Sequence, residues 1–190
     1  MAEIVEINLV CDEIINHKIL LSFINNKMPI NCRYNKIEVM DNWEYENFYE
    51  LDSEENLLQL VDKKIVCITR KEKDGYVGLN IEKVENVFCY TLWFNQEKYE
   101  LSNEYSKLIE RFVLFAKQEI DNKFNICAIG KEVFFEYHSN KNKLFDASHN
   151  IDVWINLDID ITDSILKKYE RCDYDNCIIL KNRNINKLFD

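Results

Sequence analysis

The stretch VFCYTLWF (Val87–Phe94), followed after a polar interval by SNEYSKLIERFVLFAKQEI (Ser102–Ile120), carries the strongest structural signal in the chain. Its first part is rich in aromatic and β-branched residues and is bounded by polar ones, which is the pattern of a strand. Phe88, Tyr90, Leu92 and Phe94 line one face, and Val87, Cys89 and Trp93 make the other face apolar too, interrupted only by Thr91. A strand apolar on both faces belongs inside a sheet rather than at its edge. In the second part Tyr105, Leu108, Ile109, Phe112, Val113, Ala116 and Ile120 recur on one helical face, with Ser102 as candidate N-cap and Glu104 in the first turn.

Outward from this unit the chain reads as strands and short helices. Toward the N-terminus, Glu3–Cys11 is an expected strand and Asp12 a cap for a helix through Asn26, closed by Pro29. Residues 31–51 are the least regular, with one strand allowed. Asp52 and Glu55 have capping-box spacing, which predicts a short helix over Ser53–Asp62. Lys64–Arg70 and Tyr76–Ile81 flank Asp74-Gly75, a hairpin dipeptide. Beyond the main helix, Phe124–Ile129 and Glu132–Tyr137 are read as two strands separated by a turn at Gly130-Lys131. Ile151–Leu157 is another strand, Thr162 caps a helix, and Cys177–Leu180 is the last strand. The expected fold class is α+β: a mixed, largely antiparallel sheet packed by one long central helix (about 102–120) and two to three shorter helices. One domain spans 1–190, the variant of it being a lobe of residues 1–62 packed on a 63–190 αβ core.

Composition narrows the class. The 190 residues suffice for a core that buries roughly 70% of the unfolded chain's surface. The longest uninterrupted apolar run is Phe112–Ala116, far short of the ~20 residues that span a bilayer. Glu3 and Glu6 occupy the region where a signal peptide carries positive charge. The seven cysteines are odd in number and mostly inside apolar runs, with Cys67, Cys89 and Cys127 reading as small core residues. A reducing, cytoplasmic location is therefore expected. The abundance of Asn, Lys and Ile looks like the bias of an AT-rich, bacterial coding sequence.

The net charge of −10 is concentrated. Between Ile37 and Asp62 stand nine acids and no Lys or Arg, so this segment contributes −9 and the remainder −1. Nucleic acid is thereby excluded as a partner for that surface, since phosphate contacts require the opposite sign. With glycine only at 75, 78 and 130, the chain has neither a phosphate-binding loop nor a dinucleotide fingerprint, and it has no serine-elbow pattern. No cofactor and no metal is expected.

Three constellations carry the functional expectations. The first is Asp41, Trp43, Glu44, Tyr45, Glu46, Tyr49, Glu50, Asp52, Glu54 and Glu55, where large amphipathic rings alternate with carboxylates. Rings supply anchors and like-signed charge steers association, which suits a basic protein surface. The leading expectation is a small acidic cytoplasmic protein that binds and neutralises a basic protein partner, a toxin for instance, in the manner of immunity proteins. The bland reading is a solvated connection whose aromatics pin it to the core.

The second constellation is Asp158-Ile159-Asp160-Ile161-Thr162, which resembles the first motif of haloacid-dehalogenase-type phosphotransferases over these five residues alone. The resemblance implies a nucleophile at Asp158, a general acid and base at Asp160 and a bound Mg²⁺. That family places the motif early and needs further groups downstream, whereas 28 residues follow Thr162 here, so a metal-assisted hydrolase or phosphotransferase ranks second. A DNA mimic ranks third, because its acids would be spread over a long surface. The third constellation, Cys172 and Cys177 with Asp173 and Asp175 between them and His149 as the nearest histidine, lacks the ligand spacing of a zinc site, and His138 and His149, either of which could be an acid or base, read as structural because no nucleophile stands near them in sequence.

Overall fold

A computed structural model describes residues 4–27, 35–53, 56–72, 75–95, 102–120 and 123–189. The order of elements is β1 (Ile4–Cys11), α1 (His17–Lys27), β2 (Asn35–Met40), β3 (Tyr49–Leu51), α2 (Leu57–Leu60), β4 (Ile65–Glu72), β5 (Gly75–Val84), β6 (Val87–Asn95), α3 (Ser102–Glu119), β7 (Ile126–Phe134), α4 (Lys141–Ala147), β8 (His149–Ile155), α5 (Asp163–Lys168), β9 (Tyr169–Arg171) and β10 (Ile179–Asn182). All ten strands join one sheet in the order β3-β2-β4-β5-β6-β1-β7-β8-β10-β9, and every pairing is antiparallel.

This architecture corrects the expected fold class. The organising element is the ten-stranded sheet, not a long central helix, and the sheet is not mixed. α3 has 18 residues and α1 has 11, and among the described residues the other three helices have four, seven and six. α3 does not stand alone on the sheet. Phe112 of α3 meets Phe23 of α1 edge to face, with centroids 5.4 Å apart at 85°, so the two helices share the covering of one face.

Alternation explains which face they cover. Val5, Ile7 and Leu9 of β1, Leu79 and Ile81 of β5, and Tyr90, Leu92 and Phe94 of β6 all point into the core beneath α1 and α3. A second apolar cluster on the opposite face joins Val10, Cys89, Ala128, Leu144, Ile151 and Trp154. β6, between β5 and β1, is therefore buried on both sides at its Val87–Tyr90 end.

Several local expectations change. α2 covers only Leu57–Leu60, entered through Asn56 at φ 64, so the capping box does not extend it; Glu55 of that box lies outside the described residues. The same is true of Pro29 and of Asp74 in the hairpin dipeptide, while of Ser102 only the backbone is described. α1 begins at His17 rather than after Asp12, with Asn16 Oδ1 accepting from Lys18 N–H at 3.0 Å. β7 runs straight through Gly130 and Lys131, where a turn was expected. The pairing of β7 with β8 instead shifts register at Gly130, which is a bulge. Glycine is required there because β8 comes close: a Cβ would stand 2.0 Å from the Asn150 carbonyl oxygen. Asp175 and Asn176, at φ 48 and 69, turn the chain between Tyr174 and Cys177 in the primed-turn manner.

Glu6 sits on the sheet face opposite Ile7, half-buried, and its Oε2 accepts the Val133 N–H at 2.9 Å. Burial lifts its carboxyl to about 7, against the lowering effect of that N–H. The native state therefore holds a proton that the unfolded state releases between about pH 4.5 and 7, and stability falls as pH rises through this window. Glu82 and Asp152, also raised by burial, act in the same direction. Glu6→Gln keeps the acceptor and removes the charge. It should stabilise the protein by about 2 kcal/mol near pH 8 and by little near pH 4. Denaturant unfolding at the two pH values reads this difference, and equal stabilisation at both would contradict it.

Candidate functional site

The acidic segment lies at one end of the sheet, in the connection from β2 to the edge strand β3. Asn42 builds this loop. Its Oδ1 accepts from the Glu44 and Glu46 amides at 3.1 and 3.3 Å, its Nδ2 donates to Glu46 Oε2 at 2.8 Å, and Asp41 N–H closes the loop on Glu46 O at 3.0 Å. Asn and Asp favour such side-chain-to-backbone turns. Tyr45 and Asn47 take positive φ, 62 and 47, so the loop has a defined shape held by several bonds.

That shape displays rings. Trp43, Tyr45, Phe48 and Tyr49 are 47, 60, 41 and 39% exposed, and Tyr45 packs edge-on against Phe48 at 6.2 Å. Trp43 donates its Nε1–H to Glu82 Oε2 on β5 at 3.0 Å.

Charges are less uniform in space than in sequence. Lys64 of the β4 approach pairs with Asp41, Lys36 of β2 bridges Glu38 at 2.8 Å and Glu50 at 3.1 Å, and Lys83 of β5 holds Asp62 at 2.7 Å. Hydrogen bonds from Lys64 and Asn47 keep the Asp41 carboxyl below its ordinary range, and that of Glu38 raises Lys36. Among the described residues Glu44, Glu46 and Asp52 have no ion pair. All three are exposed, as are the four rings. Glu54 and Glu55 lie outside the described residues. Of the expected residues, the structure thus brings Asp41, Trp43, Glu44, Tyr45, Glu46, Tyr49 and Glu50 together on one hairpin, with Asp52 just beyond β3.

Glu82 was not anticipated. It stands 39 positions from Trp43 and becomes its neighbour only because β5 lies two strands from β2. On the same face of the central strands, Trp93 Nε1 donates to Asn80 Oδ1 at 3.3 Å and Thr91 Oγ1 donates to Asn8 Oδ1 at 2.7 Å. Registers Asn80↔Thr91 and Asn8↔Thr91 align these groups across three strands. Such a row is invisible in a linear reading, since its members come from three separate segments.

The remaining candidates are dispersed. Asp158 and Asp160 lie in the irregular stretch between β8 and α5, and Thr162 Oγ1 pairs with Ser164 Oγ at 2.7 Å without capping α5 through its side chain. Among the described residues no group of three His, Cys, Asp or Glu side chains has metal-site geometry. Burial lifts the thiols of Cys172 and Cys177 above their ordinary range. His138 sits 3.2 Å from Glu136, while His149 stacks on Phe134 at 6.1 Å. A cleft of about 280 Å³ is lined by His149, Ser148, Asp146, Trp154 and Lys168. Among the described residues no hydrogen bond couples that histidine to the serine or the aspartate, and the Ser148 hydroxyl instead accepts from the Glu136 N–H at 3.4 Å.

The described helices include none long and apolar enough to cross a membrane. Compared with protein-family models, with curated proteins and with solved structures, the chain matches none.

Proposed function

We propose that the protein binds and neutralises a basic protein partner in the cytoplasm, using the β2–β3 edge as the contact surface, in the manner of immunity proteins. The observation that carries this reading is that one short hairpin exposes Trp43, Tyr45, Phe48 and Tyr49 together with Glu44 and Glu46, with Asp52 just beyond it, the three carboxylates having no ion pair among the described residues. Exposed aromatics of this size are the usual anchors of an interface, and neighbouring uncompensated charge selects a cationic surface and speeds encounter with it. The Asn42 bonds add preorganisation, so little ordering is required when the partner docks.

The test is a three-site variant, Trp43→Ala with Glu44→Lys and Glu46→Lys. All three side chains are exposed, so the fold should survive with a change within about 1 kcal/mol. A basic protein retained from the native lysate by the wild type should be released by the variant, and its affinity once purified should fall about a hundredfold. The wild-type complex should also weaken as salt is added. Equal retention by both proteins would remove the β2–β3 edge as the contact surface.

A further inference from the structure

Beneath the β2–β3 loop lies a cleft of about 260 Å³, lined by Asp41, Trp43, Asp62, Lys64, Glu82 and Lys83 among others. This is below the ~300–1,000 Å³ of sites for drug-sized molecules, and on the scale of one long side chain. Two of its three carboxylates already hold cations, Asp41 with Lys64 and Asp62 with Lys83. Glu82 does not. Its Oε2 accepts from the uncharged Trp43 indole, and among the described residues it has no ion pair. An indole N–H donates in the plane of its ring, so this bond does not itself cover a ring face, and Trp43 is about half exposed.

We propose that this cleft receives an arginine side chain of the basic partner, its guanidinium lying on the Trp43 ring and donating to Glu82 Oε1. The inference rests on the basic-partner reading above and names what that partner presents. Arginine fits better than lysine for three reasons: its planar cation stacks on an aromatic face, its fork donates to the carboxylate at the same time, and it is less strongly hydrated. Burial makes the last point weigh more. Glu82 is a half-buried carboxylate whose charge is penalised by desolvation, so a cation that sheds water readily compensates it best. Lys63, also in the lining, is exposed, and its charge is screened by water.

Calorimetric titration with oligo-arginine and oligo-lysine peptides of equal length, at low ionic strength, tests the assignment. The wild type should bind oligo-arginine about fivefold more tightly than oligo-lysine. Glu82→Gln, which keeps an acceptor for the Trp43 indole, and Trp43→Leu should each abolish the preference. Equal binding of the two peptides by the wild type, or a preference that survives in Glu82→Gln, would overturn the arginine assignment and leave the basic-partner reading standing. Binding of neither peptide would overturn both.

Discussion

Phe112→Ala should lower the unfolding free energy by about 3–5 kcal/mol. Phe112 is fully buried, meets Phe23 at 5.4 Å and Phe115 at 6.3 Å, and lies where α3 and α1 cover the sheet together. Truncation removes the apolar transfer free energy of the ring and leaves a cavity. Neighbours fixed by their own ring contacts, such as Phe23 against Phe94 and Phe115, can collapse only in part. Urea unfolding measures the loss. The same variant, kept below its melting temperature, should retain affinity for a basic partner, because its ring faces the core and not the β2–β3 edge. A loss under about 1 kcal/mol would show that the α1–α3 layer is not packed as described.

Gly130→Ala should be as severe, by a different route. An added Cβ would meet the Asn150 carbonyl oxygen at 2.0 Å and Val133 Cγ2 at 2.8 Å. A side chain could rotate away, but a backbone carbonyl in a paired strand cannot. Asn150 is further fixed by its Nδ2 bond to Glu132 O at 3.0 Å, and both residues occupy positive φ, 60 and 49. Relief therefore requires separating β7 from β8 at the bulge, with an expected loss of about 3 kcal/mol or more. Thermal melting and the soluble yield report it. A melting temperature equal to wild type would contradict the close approach of the two strands.

These two positions also show what was legible in the sequence. The apolar stripe containing Phe112 repeats at helical spacing, so the existence of α3 could be read from its own residues. Its rank could not be, because the number of strands it shares a sheet with depends on pairings between distant segments. β3 and β9 have three residues each, too few for alternation to register. β1, from the N-terminus, sits between β6 and β7, a placement that no local pattern encodes. Gly130 reads as a turn because glycine punctuates chains, whereas its work is to admit the β8 backbone.

The acids from Glu38 to Asp62 are visible because they crowd one segment that has no Lys or Arg. Their partial neutralisation was not, since Lys64 reaches Asp41 across 23 positions and Lys83 reaches Asp62 across 21. What folding adds is selection: it pairs Asp41, Glu50 and Asp62, brings in Glu82, and leaves Glu44, Glu46 and Asp52 exposed without an ion pair among the described residues.

The most direct measurement is isothermal titration of the purified basic partner into the wild type and into the Trp43→Ala, Glu44→Lys, Glu46→Lys variant at matched salt. Wild-type binding should be tight and salt-sensitive, and the variant about a hundredfold weaker with its fold intact. Equal affinities, or a complex insensitive to salt, would contradict the assignment of the β2–β3 edge as the surface that holds a cationic protein.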